Sequence, residues 1–260
     1  MRFAACALAC LALASPVEAQ TPDTTSTTTG DPWTWRGAAP TPEVTLTLFP
    51  VGTDTVGGHR RARYKALALG LEPRDRVTAW AFPLGASRGV CLQSGFAVDS
   101  TGRVVCEPGS RAPEDTCALC TLPLDQIVLA ATGYAPGEPY RIGVLSRSGG
   151  KRAYAEAFPV PIEAASDSLR LHLEMVTPDG LEYAVIGEGF RPGSKIGITT
   201  RSADRSGSQK MIVPASGAFR LEVLPQVAGE PTGFASVTVQ SADRRLTLDW
   251  PWGRGAFKNR

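Results

Sequence analysis

Cys91, Cys106, Cys117 and Cys120 are the first side chains whose type and spacing invite a chemical reading. Cys117-Ala118-Leu119-Cys120 has the CxxC spacing of a redox dithiol or of half a zinc site. Zinc usually takes a second CxxC or a His pair, and neither His59 nor His172 lies near in sequence. A redox CxxC opens a helix, whereas Arg111-Ala112-Pro113-Glu114-Asp115-Thr116 and Thr121-Leu122-Pro123 around this one read as loop. An even number of cysteines in an exported chain makes disulfides the default. Local closure favours Cys91 with Cys106 and Cys117 with Cys120.

Hydrolysis needs a nucleophile, a base and an orienting group. Gly85-Ala86-Ser87-Arg88-Gly89 has the Gly-x-Ser-x-Gly form and follows an apolar stretch, but Val90-Cys91-Leu92-Gln93 after it has no helical spacing, as a nucleophile elbow requires. His59 sits in a basic loop and His172 in an alternating segment between Arg170 and Glu174, both of which read as exposed polar positions. The carboxylates are scattered and no glycine-rich segment opens a helix, so no catalytic, metal or cofactor site is expected. A secreted hydrolase or carbohydrate-active protein, its site assembled only by folding, is the second reading.

Two segments offer binding chemistry. Arg60, Arg61 and Arg63 form a basic cluster suited to an anionic polysaccharide or a lipid headgroup, with Asp54 nearby. Trp250-Pro251-Trp252 offers aromatic faces on which a sugar or peptide can stack, although Trp250 also suits the core of a last strand and Trp252 its end. These five residues are the expected ligand surface.

The elements that must position them are short strands. Val44-Thr45-Leu46-Thr47-Leu48, Leu169-Arg170-Leu171-His172-Leu173-Glu174-Met175 and Leu246-Thr247-Leu248-Asp249-Trp250 alternate apolar with polar, and Gly, Pro, Asp and Ser punctuate the stretches between. No stretch has convincing helical spacing and caps. Residues 1–19 read as a signal peptide: Arg2, an apolar run over 3–14, then small residues before a cut after Ala19. That run is shorter than the roughly 20 residues a bilayer needs and none later approaches it, so no membrane span is expected. Removing 19 of the 260 residues leaves 241, enough for one or two domains. A net charge of +2 argues against a nucleic-acid partner.

The chain also repeats itself. Gly70-Leu71-Glu72-Pro73-Arg74-Asp75-Arg76-Val77 matches Gly189-Phe190-Arg191-Pro192-Gly193-Ser194-Lys195-Ile196. Asp99-Ser100-Thr101-Gly102 then corresponds to Pro214-Ala215-Ser216-Gly217, and Pro136-Gly137-Glu138-Pro139 to Ala228-Gly229-Glu230-Pro231. Three landmarks in one order describe a duplicated sandwich.

Gly189-Phe190-Arg191-Pro192-Gly193, with the two later turns, resembles the bacterial Ig-like repeats of exported proteins, and within that group Val176-Thr177-Pro178-Asp179-Gly180 resembles the start of the IPT/TIG type. The resemblance covers most of the chain beyond residue 43. It implies a spacer, adhesion or ligand-presenting role and no shared catalytic residues. The expected architecture is all-β, two tandem immunoglobulin-like β-sandwich domains after a signal peptide and a flexible Thr/Pro-rich tether. The divisions are 1–19 signal, 20–43 tether, 44–165 first domain with the cysteine-bearing insertion, 166–168 linker, 169–254 second domain and 255–260 tail. The expected role is a non-catalytic structural or binding module, secreted or periplasmic, whose partner is a protein or glycan of the cell envelope.

Overall fold

The computed structural model describes residues 35, 39–107, 109, 117–147, 150–242 and 244–258. The signal peptide, the tether except residues 35 and 39–43, and most of the cysteine-bearing segment before Cys117 lie outside the described residues. The first lobe contributes β1 (Thr45–Val56), β2 (His59–Leu69), β3 (Arg76–Ala81), β4 (Val90–Val98), β5 (Val104–Cys106), β6 (Ala118–Leu119), β7 (Leu129–Thr132), β8 (Tyr140–Ser146) and β9 (Arg152–Ala157). The second contributes β10 (Glu163–Ser166), β11 (Leu169–Met175), β12 (Tyr183–Glu188), β13 (Lys195–Ser202), β14 (Arg205–Ile212), β15 (Phe219–Val223), β16 (Thr232–Ser241) and β17 (Arg244–Gly253). No α-helix occurs among the described residues, and no helix there is long and apolar enough to cross a membrane.

Each lobe is a sandwich of two sheets. Strands β1-β2-β7 face β5-β4-β3-β8-β9 in the first, and β10-β11-β12-β15 face β14-β13-β16-β17 in the second. The orders β1-β2-β7 and β4-β3-β8-β9 map strand for strand onto β11-β12-β15 and β14-β13-β16-β17. Alternation decides what each sandwich buries. Ala62, Tyr64, Ala66 and Ala68 of β2 turn inward to a core with Phe96, Ile142 and Val144, and Leu171, Leu173 and Met175 of β11 do the same against Ile196, Ile198 and Val237.

The repeated landmarks occupy equivalent places. Gly70 and Gly189 end β2 and β12 with φ of 81° and 75°, and the next residue, Leu71 or Phe190, enters the core. Arg74 N donates to Val98 O at 2.8 Å and Gly193 N to Val213 O at 2.9 Å, both from residues with φ of 74°. The fold is therefore an all-β, immunoglobulin-like sandwich built twice.

Two expectations change. The disulfides join Cys91 with Cys117 and Cys106 with Cys120, not sequence neighbours, because β6 lies parallel to β4 through Gln93↔Ala118 and Ser94↔Leu119 and brings the CxxC beside both partner strands. Residues 166–168 are not a linker: Ser166 ends β10 opposite Leu169 and Asp167-Ser168 form the turn of the β10–β11 hairpin, pinned to β17 by Arg244 and Asp167. The chain passes from β9 to β10 through residues 158–162.

Candidate ligand surface

The hairpin of β1 and β2 carries the basic cluster. In the antiparallel register Asp54 lies opposite Arg61, Gly52 opposite Arg63 and Phe49 opposite Lys65, and residues directly opposite share a face. Ala62, Tyr64 and Ala66 are buried, so Arg61, Arg63 and Lys65 project from the outer face. The facing strand adds only Thr132 and Ala130 beside the two arginines and leaves them uncovered. Arg60 belongs to the opposite parity, and its charge is felt at the inward Tyr64. The structure thus brings Arg61 and Arg63 together and sets Arg60 apart.

Asp54 organises this face. Arg61 donates from Nε and Nη2 to its two carboxylate oxygens at 2.7 and 2.6 Å, and Arg63 Nε stands 3.9 Å away. The hydrogen bond from Arg61 is the main reason the Asp54 carboxyl is held below the usual aspartate range, with the charges of Arg61 and Arg63 acting in the same direction. Arg63 Nε is shielded from solvent yet has no hydrogen-bond partner among the described residues. Phe49 is 46% exposed, a ring within a cationic stripe. Sequence reading missed Phe49 and Lys65, and the signal was parity, since Thr45, Thr47 and Phe49 alternate with the inward Val44, Leu46 and Leu48.

The tryptophan platform is not formed. Trp250 and Trp252 are each 1% exposed and sit in the second core, Trp250 tilted against Tyr183 and Trp252 donating from Nε1 to Ser202 Oγ at 3.1 Å. Their parity with Leu246 and Leu248 on β17 put them on the buried side. Neither presents a face to a ligand.

The other sites weighed from sequence fall apart spatially. Ser87 is exposed in the loop between β3 and β4, which runs directly into a strand, so the helix of a nucleophile elbow is not there. His59 starts β2, whereas His172 lies on β11 of the other lobe, its ring 5.6 Å from that of Phe158. All four described cysteines are in disulfides, which removes the thiolates that zinc or dithiol chemistry would use.

A second polar cluster joins the lobes. Arg141 of β8 donates to Glu174 of β11 at 2.8 Å and to Glu156 at 3.3 Å, and Arg220 of β15 takes the other oxygen of Glu174 at 2.5 Å. The Glu174 side chain is 8% exposed. Trp35 lies against Phe82 and Tyr154, with the Arg141 guanidinium 5.0 Å from its ring centroid.

The class these features define is a two-lobed, disulfide-bonded, immunoglobulin-like all-β protein with a cationic outer face. No protein-family model matches the chain, and no curated protein matches it in sequence. Among solved structures it is similar to a tetra-tandem repeat in the extending region of a large adhesion protein, at 11% identity and TM-score 0.24, over 81% of this chain and 48% of that one. It is also similar to the chicken interferon gamma receptor alpha chain, at 11% identity and TM-score 0.21, over 78% and 97% of the two chains. The chain spans about half the length of the adhesion-protein structure.

Proposed function

We propose that this protein is an exported, non-catalytic binding module of the bacterial envelope or extracellular space, of the Ig-like repeat type, and that the outer face of the β1–β2 hairpin binds an anionic glycan. Its two domains meet at residues 158–162. Two disulfides support an oxidising compartment, where such bridges persist. The observation that carries the ligand class is Phe49, exposed and opposite Lys65 in line with Arg61 and Arg63. Cations on a sheet supply salt-sensitive attraction to carboxylate or sulfate groups, and an aromatic face stacks on a sugar ring.

Retention on a sulfated polysaccharide column tests this reading. Phe49→Ala and Arg63→Ala should each weaken binding about three- to tenfold and lower the salt needed for elution, while Arg60→Ala, on the other face, changes little. Equal elution of all three variants and the parent would rule out this face.

A further inference from the structure

Besides the extra strand β10, the two lobes differ beside β4 and its counterpart β14, and this second difference exposes an unfilled strand position. In the first lobe the outer edge of β4 is covered: β5 pairs with it at Phe96–Val98 and β6 at Gln93 and Ser94, while Cys120 and Leu124 of the following segment are buried in the core. That cover comes from residues 99–128, and the equivalent connection in the second lobe is only 213–218. β14, the counterpart of β4, therefore ends its sheet, paired with β13 alone, and all but one of its residues are exposed. Behind it a groove runs toward β15, with a hollow of about 320 Å³ lined by Ile198, Thr200, Gly207, Gln209 and Leu221 among others. The inward position opposite Thr200 is Gly207, which supplies no side chain to fill it.

The free edge offers hydrogen bonds in a defined pattern. Val213 N donates to Ser194 O at 2.9 Å, so odd-numbered residues of this strand bond toward β13. The N–H and C=O groups of Ser206, Ser208, Lys210 and Ile212 consequently point to the open side. Unpaired strand edges of this kind take up an added strand.

Charge selects the occupant. The hairpin over 195–212 carries Lys195, Arg201, Arg205 and Lys210 against Asp204, so pairing β14 with β14 of a second copy sets like charges together. Residues 20–34, outside the described residues, carry Asp23 and Asp31 and no Lys or Arg. Between those aspartates lies Thr24-Thr25-Ser26-Thr27-Thr28-Thr29, free of Pro and Gly. Thr favours strands, and its methyl and hydroxyl suit a groove lined by both Leu221 and Gln209. The run ends six residues before Trp35, a reach of about 20 Å at full extension, and Trp35 is held on the first lobe by Phe82 and Tyr154. The segment is thus anchored on the first lobe, whereas β14 ends a sheet of the second, and the strand is offered to β14 of a second copy.

We infer that residues 20–34 of one copy add as a strand to the β14 edge of the next, joining copies head to tail. The contact is heterologous and does not close on itself, so it propagates into chains. Sedimentation velocity of the chain beginning at Gln20 should show association that grows with concentration and weakens with salt. Deleting residues 20–34 should leave a monomer. Ser208→Pro removes one outward donor without touching the bonds to β13 and should weaken association at least tenfold, whereas Ser208→Ala, which keeps that N–H, should not. A synthetic peptide of residues 20–34 added to the deletion variant should shift the backbone amide resonances of Ser206, Ser208 and Lys210. Association undiminished by the deletion would mean that another face joins the copies, and would overturn the inference. So would a full chain that stays monomeric, whether the β14 amides are protected by its own tether or are untouched by the peptide.

Discussion

Gly70 and Gly189 show how far single residues determine this fold. Both have positive φ, and a Cβ at either would collide with a backbone carbonyl, that of Glu43 or of Ser168. Gly189→Ala should therefore cost at least about 2 kcal/mol, from left-handed strain plus the clash, read as a lower urea midpoint for the second lobe. The converse holds at Arg74, which keeps φ of 74° where the second lobe has Gly193. Arg74→Gly should stabilise the first lobe by roughly 1 kcal/mol. Asp54 makes a pH prediction on the same scale. Its carboxyl is depressed by Arg61, so the pair is fully present above the ordinary aspartate range and is lost only as pH falls through the lowered value. Asp54→Asn should bind a sulfated polysaccharide more tightly than the parent at pH 7, because Arg61 is released. That advantage should persist through about pH 4, the ordinary aspartate range, and vanish only as pH falls through the lowered value and the parent's Asp54 takes up its proton. An advantage that is already gone at about pH 4 would contradict the depressed carboxyl.

At the scale of elements, the strands were legible because burial on one face forces period-two alternation, and the Gly-x-x-Pro turns were legible because they end equivalent strands. The same parity, read along β17, places Trp250 and Trp252 with Leu246 and Leu248, and along β2 it separates Arg60 from Arg61 and Arg63. Contacts that do not depend on local spacing were not legible. Ser166-Asp167-Ser168 has the polar composition of a linker and of a tight turn alike, and only its pairing partners decide. The disulfide pairing is set by β6 lying parallel to β4, a long-range arrangement that leaves no trace in the intervening sequence. The crossed bridges close loops with separations of 26 and 14 residues. Each should contribute about 3 kcal/mol on the chain-entropy account. Reduction, or Cys91→Ser with Cys117→Ser, should move the unfolding transition of the first lobe and leave that of the second in place, the two followed by calorimetry. A second-lobe transition that moved equally would show the bridges acting across the junction.

At the scale of the molecule, the question is whether the lobes behave as one body. The junction is more than a covalent connection: Ala135 of the first lobe is buried in the second core, Met175 N donates to Gly137 O at 2.7 Å, and Gly85 packs against Pro178. Glu174 is the electrostatic centre of this contact, almost closed to solvent and shared by Arg141 from one lobe and Arg220 from its own. Removing one member of a buried ion pair leaves the other charge uncompensated and costs about 3 kcal/mol or more. Arg141 would keep Glu156 at 3.3 Å, which places the expected cost of Glu174→Gln near the lower end. That loss falls on the junction more than on either core, so the variant should draw the calorimetric transitions of the two lobes further apart and broaden the distance distribution in small-angle scattering. Adding Arg141→Met should restore part of the loss, since the stranded cation is then gone, and a double-mutant cycle measures the coupling directly. Trp35→Ala, which uncovers Arg141 without removing a charge, should loosen the junction less than Glu174→Gln does. If Glu174→Gln leaves both transitions at the parent's temperatures, apolar contact at Ala135 and Pro178 holds the lobes together and the ion network is incidental to their alignment.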